Sequence, residues 1–349
     1  MPRMTTTPRL RPGPRNTITD VEGLTVGQAH CATSWTGVTV LLPDARAVAA
    51  ADVRGGAPGT RETDALNPSG LSVGIDALVL SGGSVYGLDA ASAVTVWLAA
   101  RGRGYVLHGS KLVAPVVPAA ILFDLTNGGD KDWGETAPYA ELAREACAEA
   151  SLEMALGNAG AGYGARAGAY KGGLGSASIV TPQGVQVGAL AAVNSFGSPV
   201  IPGTRTLWAW AWERDREMGG QTPPALPRQD GPLPPDMKGP AQARTNTTIA
   251  IVATNVALTP GQAQRLAVMA QDGMARAIVP VHTPFDGDVV FALSTGRQPL
   301  AEPWALSLTA LGAMAADCLA RAIGRAVYEA EPLGPWPSYR ALMMTGAIT

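Results

Sequence analysis

Between Glu213 and Thr245 the chain carries seven prolines, Pro223, Pro224, Pro227, Pro232, Pro234, Pro235 and Pro240, mixed with Gly, Gln and Asp and with almost nothing apolar. Proline has no backbone N–H to give and a fixed φ, so such a stretch builds neither a helix nor a sheet strand. It reads as a long loop or linker over 213–245. Connections beyond about 12–15 residues without structure of their own are usually functional or disordered, and a plain linker is the alternative. The stretch divides the sequence into two β/α-containing portions with no internal repeat between them.

Upstream, from Gly23 to Gly197, short β-rich runs alternate with small-residue helices. Val38–Leu42 and Ala77–Leu80 are short apolar runs between turn residues and predict buried strands. Ser81-Gly82-Gly83-Ser84 breaks the chain, and a helix is predicted over Tyr86–Ala100. A second helix is predicted over Ala137–Ser151, and a hairpin over Leu174–Thr181 and Val185–Val193 around Pro182-Gln183-Gly184. Downstream, Thr248–Thr254 predicts a buried strand. Thr259-Pro260-Gly261-Gln262 is a capping box with proline at the first helical position, opening a helix through Ala277. Val289–Leu293 predicts another strand and Trp304–Tyr328 a long Ala-rich helix. Residues 1–16, rich in Pro, Arg and Thr, are expected to be disordered or to hug the surface.

Composition narrows the function classes. Lys+Arg 26 against Asp+Glu 28 gives a net charge of -2, a poor match to nucleic acid, whose binding rests on neutralising phosphates, or to an anionic membrane surface. No uninterrupted apolar run approaches the ~18 residues of a membrane span. The opening residues lack a secretory apolar stretch, so the expectation is a cytoplasmic protein. Cys31, Cys147 and Cys318 are odd in number and widely spaced, which predicts three buried thiols and neither a zinc knuckle nor a disulfide framework. No metal or cofactor is expected.

Histidine is scarce, with only His30, His108 and His282, and no G-x-S-x-G elbow or H-E-x-x-H pair occurs. Gly157-Asn158-Ala159-Gly160-Ala161-Gly162 lacks the strand and helix of a dinucleotide loop, and close backbone approach accounts better for its glycines. Asp286-Gly287-Asp288 sets two carboxylates before an apolar strand, as a turn or as a holder for an ammonium or cation. In Arg244-Thr245-Asn246-Thr247-Thr248-Ile249 a threonine stands where the proline-rich stretch meets a core strand. If the Asn246–Thr247 bond were cut, Thr247 would gain an α-amine with a pKa of about 7.7–8.0, able to serve as base for its own hydroxyl without any histidine. On the pattern alone a β-branched strand opener is the better fit, since threonine is common there.

Four segments taken together, T-N-T-T-I-A-I-V-A-T-N, H-T-P-F-D-G-D, S-G-G-S-V-Y-G-L-D-A and G-N-A-G-A-G-Y-G, resemble the DmpA-type aminopeptidases, the P1 or S58 peptidases. That family includes L-aminopeptidase/D-esterases, β-aminopeptidases and nylon-oligomer hydrolases. The resemblance runs from about Ile18 to the end of the last long helix, outside the proline-rich stretch, and Asn-Thr-Thr brings it nearest the nylon-oligomer branch. It implies an α/β (α+β) fold, the four-layer αββα sandwich of a self-cleaved N-terminal nucleophile hydrolase. It also implies a larger chain 1–246 and a smaller chain 247–349 in one domain, assembled as a homo-tetramer of such heterodimers.

By the same resemblance Thr247 matches the nucleophile, Asn194 the oxyanion donor, Lys171 a lysine near the nucleophile, and Asp286 and Asp288 the acidic pair that orients the amine. Gly82, Gly83, Ser84 and Tyr86 are candidates to line the substrate pocket, with a turn and helix start as the alternative. Phe123 stands where the nylon hydrolases have tyrosine, so one hydroxyl is missing from the substrate side. The function implied is hydrolysis of short peptides or amide oligomers. An acyltransferase of the ornithine acetyltransferase type and a non-catalytic binder of a small ligand stay open, as does the choice among α-, β-, D- and ω-amino acyl substrates.

Overall fold

The computed structural model describes residues 10–71, 74–223, 231, 233–239 and 246–345. Its strands are β1 (Leu24–Cys31), β2 (Thr36–Pro43), β3 (Val48–Val53), β4 (Thr60–Arg61), β5 (Leu78–Ser81), β6 (Tyr105–Val106), β7 (Val113–Ala114), β8 (Ala119–Ile121), β9 (Arg166–Ala167), β10 (Tyr170–Lys171), β11 (Gly173–Val180), β12 (Gln186–Asn194), β13 (Thr247–Val256) and β14 (Val289–Gln298). The helices are α1 (Asp89–Ala99), α2 (Tyr139–Ala148), α3 (Pro260–Ala277), α4 (Trp304–Tyr328) and α5 (Tyr339–Thr345).

Two five-stranded sheets carry the fold, in the orders β1-β2-β5-β8-β4 and β11-β12-β13-β14-β3. Strand alternation distributes the second sheet's apolar residues to both faces. Ile249, Ile251 and Ala253 of β13 pack against residues of the first sheet such as Leu41, Leu78 and Leu80. Ala250 and Val252 point the other way, onto Leu266 and Ala270 of α3 and Leu319 and Ile323 of α4. Ala91 and Val94 of α1 and Leu142 and Ala146 of α2 cover the outer face of the first sheet. The layers therefore run helix, sheet, sheet, helix. α4 is long and apolar enough to cross a membrane by length and composition, but here it is a core helix, with Arg321 wholly buried and donating to Glu217 Oε1 at 2.5 Å.

α3 and α4 begin and end where capping and periodicity place them, and the β11–β12 hairpin follows its turn. The helix expected from Tyr86 starts at Asp89 instead. Residues Ser84–Leu88 wind as a 3-10 turn because Gly83 N–H is drawn to Asp124 and Ser84 N–H donates to Leu122 O at 2.9 Å. Of the opening segment, residues 1–9 lie outside the described residues. Residues 10–16 are tied down, Asn16 accepting from Arg321 and from Ser178 N. Cys147 and Cys318 are buried, whereas Cys31, at the end of β1, is only half-buried.

The glycines of 157–162 serve close packing. A Cβ on Gly157 would stand 2.3 Å from Glu329 O, and one on Gly162 2.1 Å from Leu174 N. No described residue of 213–239 lies in a helix or strand. The strands on either side of the proline-rich stretch, β12 and β13, are nevertheless hydrogen-bonded neighbours.

Candidate active site

Sheet direction explains why residues so far apart in sequence meet. β12 runs antiparallel to β11 and to β13, β14 runs parallel to β13, and β3 antiparallel to β14. The start of β11, the end of β12, the starts of β13 and β14 and the end of β3 therefore share one edge. Lys171, Asn194, Thr247, Asp288 and the Arg54–Pro58 turn gather along it.

Asn194 and Thr247 are a direct cross-strand pair. By alternation both face the layer between the sheets, Thr247 with Ile249 and Ile251, Asn194 with Leu190 and Ala192. Opposed residues of an antiparallel pair hold their Cβ atoms about 4.5–5.5 Å apart. Thr247 and Asn246 are each 3% exposed, and the Thr247 hydroxyl donates to the carbonyl oxygen of Asn246, the residue before it. That oxygen also accepts the N–H of Gly287 at 3.1 Å. Gly287 has to be glycine here: a Cβ would lie 2.7 Å from Thr247 Oγ on one side and 2.8 Å from Ala57 O on the other.

The two carboxylates frame this point. Asp288 Oδ1 accepts Thr248 N–H at 2.7 Å, and Oδ2 meets both the N–H (3.0 Å) and Nδ1 (2.9 Å) of His282. Asp286 Oδ1 accepts Phe196 N–H at 3.1 Å, and Oδ2 accepts the N–H and hydroxyl of Thr283. All four oxygens are thus engaged by the chain's own donors. Burial pushes the Asp286 carboxyl up, and the neighbouring Asp288 charge adds to the rise.

Asn194 is held from three sides. Its Oδ1 accepts Arg166 N–H at 2.9 Å and Lys238 Nζ at 3.1 Å, and its Nδ2 donates to Phe123 O at 2.9 Å. The residues after β8 join this to the candidate pocket wall: Leu122 O accepts Ser84 N–H, Phe123 O accepts Asn194, and Asp124 Oδ1 accepts Gly83 N–H at 2.8 Å. Gly82 and Gly83 are buried against Asp124 and Tyr139, Ser84 and Phe123 are half-buried, and Tyr86 is exposed with its ring edge-on to Trp133. Phe123 therefore meets Asn194 through its backbone carbonyl.

Lys171 is fully buried at the same edge, with Nζ on the carbonyls of Gly172 (2.8 Å) and Gly162 (3.3 Å). Burial drives its amine down to about 7, against the pull of Asp124. The lysine that touches Asn194 is Lys238, from the proline-rich stretch. Sequence reasoning missed it, as it missed the Gly287 N–H: an isolated lysine among prolines has no periodicity, and a backbone donor has no side-chain signal.

Comparison with known proteins identifies the fold and the family. The fold is the one seen in an L-aminopeptidase and a β-aminopeptidase. A β-aminopeptidase from a Burkholderia species superposes with a TM-score of 0.70 at 21% identity, over 98% of this chain and 97% of that one. The L-aminopeptidase D-Ala-esterase/amidase of Ochrobactrum anthropi gives 0.68, with the same identity and coverage. The profile of Peptidase family S58 matches residues 16–335, and the chain belongs to that family. An uncharacterized aminopeptidase of Mycobacterium bovis is 44% identical, over 95% of this chain and 99% of its own. A 6-aminohexanoate-oligomer endohydrolase of a Kocuria species is 30% identical, over 86% and 82%. The protein is accordingly a hydrolase of peptide or other amide bonds.

Proposed function

We propose that the protein matures by cutting its own Asn246–Thr247 bond, and that the released N-terminal Thr247 then hydrolyses short peptides or linear amide oligomers through an acyl-enzyme. One observation carries this reading: the Thr247 hydroxyl is in contact with the Asn246 carbonyl, whose oxygen is already polarised by Gly287 N–H. In the first reaction Thr247 Oγ adds to the Asn246 carbonyl carbon. Its proton passes to the Thr247 nitrogen, the C–N bond breaks, and an ester forms between Asn246 and Oγ. Water hydrolyses the ester, leaving the Asn246 carboxylate on the larger chain and a free α-amine on Thr247. The paired strands β12 and β13 keep chains 1–246 and 247–349 together.

In turnover the α-amine takes the Oγ proton as Oγ attacks a substrate carbonyl, and then gives it to the departing amine. Asn194, opposite Thr247 and on the same face, supplies an N–H to the oxyanion, a contribution of about 3–4 kcal/mol. Lys171, at the same edge, has its amine lowered to about 7 by burial, and its protonated form, present below that pH, favours the neutral, proton-accepting form of the α-amine. Asp286 and Asp288 act by fixing the 282–288 turn and the start of β13.

Because each of their oxygens is engaged, this reading gives them no part in gripping a substrate's free ammonium. It favours action on internal amides over strict removal of N-terminal residues. Initial rates on matched free and N-acetylated amides test it. Rates within about threefold support it, and loss of the N-acetylated reaction overturns the preference for internal bonds.

A further inference from the structure

The lysine inside the proline-rich stretch has the geometry of a device that fixes the oxyanion donor. A carboxamide has two faces of opposite character. Turned by 180°, Asn194 would present an acceptor where an oxyanion needs a donor. Its neighbours among the described residues permit one orientation. Arg166 N–H and Lys238 Nζ both donate to Oδ1, and Phe123 O accepts from Nδ2. A turned amide would set N–H groups against two donors and oxygen against oxygen.

Lys238 is 2% exposed, and its Nζ also donates to the backbone oxygen of Asn194 at 3.1 Å, so it grips main chain and side chain of one residue. The segment bearing it is itself clipped down. Lys238 N–H donates to Phe196 O at 3.0 Å, Asp236 O accepts Ala169 N–H at 2.8 Å, and Asp236 Oδ2 accepts the Ser198 hydroxyl at 2.5 Å. A buried lysine costs solvation free energy, and here burial and the Arg166 charge push its amine well below the usual range while Asp286 pulls the other way. Charged or neutral, the amine still donates.

We propose that Lys238 is a positioning residue of the hydrolase, locking the Asn194 carboxamide with its N–H side toward the reacting carbonyl. This rests on the reading of Thr247 and Asn194 given above. Lys238 lies only nine positions before Thr247 in the precursor, yet the clip holds it by contacts that do not depend on the bond to be cut. It therefore stays with the larger chain and serves both self-cleavage and turnover.

A double-mutant cycle on the full chain tests this, with kcat and KM measured on a short amide substrate. Asn194→Ala is expected to lower kcat by about 10²–10³-fold. Lys238→Met is expected to lower kcat by about 10-fold or more with KM nearly unchanged, and to add less than about twofold in the Asn194→Ala background, because it acts only through Asn194. Lys238→Gln, which keeps a donor on a shorter stem, should fall between wild type and Lys238→Met and serves should the methionine variant fail to fold. Wild-type kcat in either folded Lys238 variant, or an equal loss in both backgrounds, overturns the proposal. Thr247→Ala separates the two levels: amide hydrolysis surviving there rejects the nucleophile itself, whereas an inactive Thr247→Ala beside fully active Lys238 variants rejects only the lysine's role.

Discussion

Two stretches of opposite character meet at the Asn246–Thr247 bond. After it, β13 is buried along its whole length, its side chains feeding both cores in turn. Before it, residues 233–239 have no regular structure and are held by hydrogen bonds, Asp236 to Ser198, Tyr170 and Ala169, Lys238 to Phe196 and Asn194. The strand locates Thr247 by burial, whereas the clip locates Lys238 by polar contacts. A site built from both takes its stability from one and part of its precision from the other.

The sharpest way to break that contrast is to damage each side separately. Ile251→Ala, in the middle of β13 and wholly buried, should cost about 2–5 kcal/mol of stability while the protein that remains folded keeps nearly normal kcat. Asp236→Ala removes the Ser198 and Tyr170 contacts and should cost only about 1 kcal/mol, yet lower kcat several-fold through the loosened Lys238. Urea unfolding alongside initial rates reads both quantities. Loss of stability without loss of kcat in Asp236→Ala would make the clip mere packing.

Much of the fold was legible in the sequence. Thr259 and Gln262 form the capping box that starts α3, and proline follows at the first helical position. The apolar run at 248–254 is a buried strand because β-branched and small residues alternate between two cores. The motifs around Thr247, Asn194 and Asp286–Asp288 pointed to residues that the sheet edge brings together. What was not legible depends on tertiary contacts. The Ser84–Leu88 turn delays α1 because residues 122–124 capture its N–H groups. Lys238 acquires a partner only when the chain folds back on Asn194. The hydrogen bonds that engage the four carboxylate oxygens of Asp286 and Asp288 are visible only in three dimensions.

A smaller effect concerns Lys171. Lys171 has its amine lowered to about 7 by burial, against about 10.4 in an unfolded chain. Between those values the unfolded chain binds a proton that the folded protein has released, so stability rises with pH from 7 toward 10. Lys171→Met lacks that rise. Urea midpoints at pH 7, 8.5 and 10 should therefore move in favour of wild type relative to the variant as pH increases, and a pH-independent difference would contradict the burial account.

The central claim is that Thr247 becomes a chain terminus and then the nucleophile. N-terminal sequencing of the bands on a denaturing gel tests it most directly, with Thr247→Ala run beside wild type. The account predicts two co-purifying chains of roughly 25 and 11 kDa, the 35.7 kDa chain divided at residue 246. The smaller should begin Thr-Thr-Ile, and Thr247→Ala should give a single inactive full-length band. A wild-type protein that stays intact while hydrolysing amides, or a smaller chain that begins elsewhere, would contradict it.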